Sequence, residues 1–61
     1  MEPKYKNGDG ISFDYKGKTV SGNIISQPRN VNGVYKYQTE FMYEGDMNYD
    51  DIPETDIKGI V

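Results

Sequence analysis

The sequence predicts an all-β protein in which five short strands curl into a small barrel. Apolar and polar residues alternate in Ile11-Ser12-Phe13-Asp14-Tyr15, and again where Tyr35, Tyr37, Thr39, Phe41 and Tyr43 interleave with Lys36, Gln38 and Glu40. A period of two is the mark of a strand with one face inward. Turn formers separate these runs, among them Lys16-Gly17, Asn32-Gly33 and Glu44-Gly45-Asp46. No ten-residue stretch carries helical periodicity. A flat sheet of five such strands would leave one face and two edges in water, and closure into a barrel removes much of that exposure.

Taken in order, residues 1–7 are polar, contain Pro3 and read as a loose arm before a barrel domain over residues 8–61. Residues 11–15 form the first strand, and Gly17 closes a hairpin because glycine adopts positive φ without a Cβ clash. The return strand, residues 18–27, sets Val20, Gly22 and Ile24 on one face. A glycine at such a position marks a bulge or a close approach of two backbones. Residues 28–33, Pro-Arg-Asn-Val-Asn-Gly, are dense in turn formers and read as a loop. Residues 34–43 make the longest strand, with the tyrosine and phenylalanine face inward. Residues 47–52 supply a short fourth strand, Pro53-Glu54-Thr55-Asp56 a single 3₁₀ turn, and residues 57–61 the last strand. The expected core is Ile11, Phe13, Val20, Ile24, Tyr37, Phe41, Ile52 and Ile57.

The order of these pieces is similar to a family pattern. Gly8-Asp9-Gly10-Ile11-Ser12-Phe13 opens the first strand, Gly22-Asn23-Ile24 lies in the second and Tyr35-Lys36-Tyr37 in the third. The segment Ile52-Pro53-Glu54-Thr55-Asp56-Ile57 supplies a hairpin end, a 3₁₀ turn and a closing strand. Over residues 8–61 this resembles SH3-like barrels of the Tudor and KOW type, including short bacterial and phage proteins of unassigned function. The resemblance implies the five-stranded SH3-like barrel. It does not choose a ligand, because such barrels bind peptides, nucleic acids, methylated side chains or other subunits.

Composition narrows the chemistry. The 61 residues include no cysteine and no histidine, which removes disulfide staples, thiolate and imidazole metal ligands and the commonest general bases at neutral pH. A domain of this size is expected to hold about 3 to 9 kcal/mol of stability. No apolar run is long enough for a membrane helix, no signal-peptide pattern opens the chain, and a cytoplasmic location is the expectation. The net charge of −3 is unevenly laid down. Six of the seven basic groups (Lys4, Lys6, Lys16, Lys18, Arg29, Lys36) fall in residues 1–36, against Glu2, Asp9 and Asp14. Residues 37–61 hold the other seven acids and only Lys58.

Several patterns suggest chemistry. Asp46, Asn48 and Asp50 have the spacing of the first three ligands of an EF-hand loop, but Asp51 stands where its sharp turn needs glycine and Ile57 where a bidentate glutamate closes the site. A metal site is therefore not expected, and neither is any cofactor. Asp50 and Glu54 are the carboxylates nearest to acid–base candidates, yet a barrel this small has little room for a pocket that would raise their pKa, so no catalytic role is assigned. Tyr15, Tyr43 and Tyr49, with Asp46 or Asp50 as counter-charge, could frame an aromatic cage for a cation. The reading that best fits the charge pattern is a non-catalytic binding or adaptor module. Its acidic, tyrosine-bearing surface (Tyr43, Asp46, Tyr49, Asp50, Asp51, Glu54) would meet another protein. The alternative is a nucleic-acid-binding barrel using Lys4, Lys6, Tyr15, Lys16, Lys18 and Arg29, where basic groups interleave with aromatic platforms.

Overall fold

The computed structural model describes residues 2–61 and is all-β, with one 3₁₀ turn and a strongly curled antiparallel sheet. The strands are β1 (Gly10–Tyr15), β2 (Lys18–Ile24), β3 (Arg29–Val31), β4 (Val34–Tyr43), β5 (Asp46–Pro53) and β6 (Ile57–Ile60), and the 3₁₀ turn is Glu54–Asp56. The sheet runs β3-β4-β2-β1-β6, with β5 on the other side of β4. No helix among the described residues is long and apolar enough to cross a membrane.

Three two-residue turns set the register. At Lys16-Gly17, Asn32-Gly33 and Glu44-Gly45 both central residues have positive φ, between 48° and 85°. That is the requirement of the type I′ hairpin, whose twist matches that of its flanking strands. Each turn closes a ladder at a defined pair: Tyr15 with Lys18, Val31 with Val34, Tyr43 with Asp46.

The segment expected to be a loop contains a strand. Arg29–Val31 pairs with residues 34–36 of β4, because Asn32-Gly33 alone suffices to reverse the chain. The second strand correspondingly ends at Ile24 and not near Gln27. Ile24 faces Thr39 and Arg29 faces Lys36, so five steps along one chain match three along the other. β2 and β3 thus form one long strand broken by a two-residue bulge that holds Pro28, which has no N–H to give a ladder. At the other end of the chain, Pro53 closes β5, so the 3₁₀ turn begins one residue later than its sequence signal.

The core lies inside the curl. Ile11, Phe13, Ile24, Tyr37, Phe41 and Ile52 are buried, together with Thr39, whose hydroxyl donates to the Tyr37 carbonyl at 3.0 Å. Val20 and Ile57, expected within the core, pack against it while half-buried, as do Tyr5, Tyr15, Tyr35 and Tyr43. Gly22 stands opposite both Ile11 and Phe41, and a Cβ there would lie 2.4 Å from the Glu40 carbonyl oxygen and 2.8 Å from the Phe41 Cβ. Close backbone approach is what holds this position to glycine.

Of the segment read as a loose arm, Met1 lies outside the described residues. The remainder lies against the curled sheet, where Tyr5 packs on the core. The Gly8 N–H donates to the Ile24 carbonyl and the Ile24 N–H to the Asp9 carbonyl, both at 2.9 Å. The Tyr5 ring meets Tyr37 edge-on at 5.6 Å.

Candidate functional site

β4 and β5 form the longest ladder, from Lys36 opposite Pro53 to Tyr43 opposite Asp46. Directly opposed residues share a face. On the inner face lie Tyr37 with Ile52, Thr39 with Asp50, Phe41 with Asn48 and Tyr43 with Asp46. On the outer face lie Gln38 with Asp51, Glu40 with Tyr49 and Met42 with Met47. β5 pairs with no strand but β4 among the described residues. Asp46 and Asp50 therefore reach solvent although they share a face with the core.

The six residues of the acidic candidate set divide among four environments. Asp46 and Asp50 lie on the inner side of β5, while Tyr49 and Asp51 lie on its outer side, with Tyr49 60% exposed. Asp51 forms an ion pair with Arg29 and Asp50 accepts a hydrogen bond from the Asp51 N–H at 2.8 Å. Glu54 is engaged elsewhere. Its Oε1 accepts from the Tyr37 hydroxyl at 2.5 Å and from the Lys4 N–H at 3.2 Å, and the Tyr37 oxygen in turn accepts from the Tyr5 N–H at 3.4 Å. Burial and the hydrogen bond to the Glu54 carboxylate push the Tyr37 phenol up to about 12. The same bond holds the Glu54 carboxyl below its ordinary range, against the opposing effect of burial. No composition or spacing signal marks this pair, because it joins β4 to the 3₁₀ turn across seventeen positions.

Tyr43, the sixth, belongs with the basic candidates. Its ring packs against Tyr15 at 5.0 Å, and Tyr15 against Phe41 at 4.8 Å. The Lys16 ammonium lies 5.3 Å from the Tyr15 centroid and 5.8 Å from that of Tyr43, and the Lys18 ammonium 5.6 Å from Tyr43. Two members of the expected cage thus meet, covered by the chain's own lysines. Tyr49, the third, is on the outer face of a different strand.

The basic set does not line one groove. Lys6 pairs with Asp9 at 3.3 Å, Lys18 lies 4.0 Å from Glu44, and Arg29 is on Asp51 at the far side of β4. Lys58 also pairs with Asp14 at 3.3 Å. Two of the six basic groups of residues 1–36, Lys18 and Arg29, are brought onto acids of the other half of the chain. The EF-hand-like triplet is extended on β5, with about 6.6 Å between alternate residues, where an ion-binding loop would wrap its ligands round a centre. Among the described residues no group of three or more acidic, histidine or cysteine side chains could hold a metal ion, and no pocket is present.

What the fold does present is an outer patch on the β4–β5 hairpin. Met42, Met47 and Tyr49 are 55%, 50% and 60% exposed, adjoining one another across and along the ladder. Glu40, opposite Tyr49, and Asp51, two residues further along β5, share their face, and Glu44 stands in the adjoining turn. Sequence reading found Tyr49 and Asp51 but missed the methionines, whose outward parity follows only once the register is known. No family model, curated protein or solved structure matches this chain.

Proposed function

We propose that this chain is a non-catalytic protein-binding module, an SH3-like barrel that meets its partner through the outer face of the β4–β5 hairpin. The single observation that carries the reading is the Met42, Met47 and Tyr49 patch. Three large side chains at least half exposed and mutually adjacent form an apolar centre with an acidic rim, the composition of a protein-docking surface. The SH3-like assignment is supported by the β6-β1-β2-β4-β5 meander and by the 3₁₀ turn before the last strand. The cysteine-free composition suits a reducing cytoplasm. The nucleic-acid reading is the weaker one, since Lys6, Lys18 and Arg29 each have a carboxylate partner.

A photoreactive residue placed at position 49, and separately at position 16, tests the reading in extracts of the native host. Position 49 is expected to give a protein adduct that excess unlabelled chain suppresses and that Met42→Ser/Met47→Ser chain does not. Adducts to nucleic acid from position 16, with none at position 49, would move the function to the first hairpin.

A further inference from the structure

We infer that the free edge of β5 accepts an extended segment of the partner as an added antiparallel strand, and that this segment alternates basic and apolar residues. The inference rests on the proposed docking face and names its occupant.

The hairpin turn decides which backbone groups are free. A two-residue turn makes its flanking pair, here Tyr43 and Asp46, a hydrogen-bonded one. Asp46, Asn48, Asp50 and Ile52 then direct their N–H and C=O groups at β4, and Met47, Tyr49 and Asp51 direct theirs away from it. The Asp51 N–H agrees with this parity, since its acceptor is the neighbouring Asp50 carboxylate. That contact blunts one end of the edge. Met47 and Tyr49 keep both donor and acceptor facing outward, and Pro53, opposite Lys36, ends the template. The edge is long, since β5 has eight residues, whereas β6, the edge strand beyond β1, has four.

Charge selects the occupant. A second copy of β5 laid antiparallel, with Met47 opposite Tyr49, would set Asp46 against Asp50 twice over, and like charges facing across a ladder are destabilising. A strand bearing lysine or arginine reverses that sign. On the side shared with Asp46 and Asp50 an incoming strand meets carboxylates, and on the side shared with Met47 and Tyr49 it meets exposed apolar surface. Because successive side chains of a strand point to opposite faces, the complementary sequence alternates a cation with an apolar residue.

The test uses an eight-residue peptide alternating lysine and valine, titrated into isotope-labelled protein and followed by amide chemical shifts and hydrogen exchange. Binding is expected to shift and protect the Met47 and Tyr49 amides. N-methylation of alternate peptide residues on the pairing edge, which keeps every charge, should weaken binding at least tenfold. Asp46→Asn with Asp50→Asn should weaken it severalfold at low salt and less at high salt. Equal binding of the methylated peptide, or no binding of either, overturns strand addition. The docking-face reading survives that result if the position 49 adduct persists and falls with it if the adduct is absent. Concentration-dependent dimers that protect Met47 and Tyr49 would instead make a second copy the occupant and overturn the basic-segment proposal.

Discussion

The two faces of the β4–β5 ladder are made from the same strands yet are under opposite physical demands. Inward, Tyr37, Phe41 and Ile52 are removed from water and packed against β1 and β2. Outward, Met42, Met47 and Tyr49 are at least half exposed. Tyrosine shows the contrast most plainly: Tyr37 is buried with its hydroxyl committed to Glu54, and Tyr49 is 60% exposed. A small domain can thus place nearly all of its stability on one side of a ladder and leave the other free to vary with its partner.

That division can be broken by substitution. Emptying the inner face should have the largest effect: Phe41→Ala is expected to cost about 3 to 5 kcal/mol, close to the whole stability of the domain, and a thermal melt would show little or no folded baseline. Gly22→Ala comes next, at about 2 to 3 kcal/mol, because the new Cβ meets the backbone oxygen of Glu40 and not a side chain that could move aside. Denaturant titration with an unchanged slope would attribute the loss to packing.

Tyr37→Phe should cost about 1.5 to 2 kcal/mol through the lost charge-assisted hydrogen bond, and it carries a pH signature. The Tyr37 phenol is raised in the folded state from its ordinary 10 to about 12, so its contribution is full below pH 10 and disappears as pH rises from 10 toward 12. The Glu54 carboxyl is lowered, so its contribution is present above its ordinary 4.5 and is lost as the solution is acidified below that value. Melting temperatures across pH should therefore show the wild type losing its advantage over Tyr37→Phe at both extremes. A constant difference across the whole range would mean that the Tyr37–Glu54 bond contributes nothing.

The smallest effect sharpens the comparison. Tyr49→Ser or Met47→Ser is expected to change stability by no more than about 0.5 kcal/mol, while Met47→Ser reduces the adduct formed from position 49. A loss of more than about 1.5 kcal/mol would show that the outer patch supports the fold.

Much of the inner face was legible in the sequence. Period-two alternation placed Ile11, Phe13, Tyr37 and Phe41 inside, and Gly22 was readable as a close approach because a glycine inside a strand pattern has few other reasons to be there. The bulge between β2 and β3 was hidden. Turn formers at Pro28, Asn30, Asn32 and Gly33 describe local preference, and only pairing with β4 makes Arg29–Val31 a strand. The acidic surface was misjudged as one surface for a related reason: nearness in sequence groups Asp50, Asp51 and Glu54, whereas parity sends the first two to opposite faces and a nonlocal hydrogen bond claims the third. Charge runs carry no parity until a register is fixed.

The three two-residue turns also bear on the route by which the chain reaches this structure. Three of the five ladders join strands that follow each other through such a turn, and a fourth, β2 with β4, extends the β3–β4 hairpin beyond the bulge, so their formation closes short loops and belongs to the microsecond range of isolated hairpins. The exception pairs β1 with β6, bringing Ile11 to Ile60. Closing that long loop returns its entropy cost only after the meander exists, so this seam is expected to form after the rate-limiting barrier. Ile57→Ala should then speed unfolding and leave the folding rate nearly unchanged, while loss of the positive-φ glycine in Gly33→Val should slow folding, a contrast that the two arms of a stopped-flow chevron can separate.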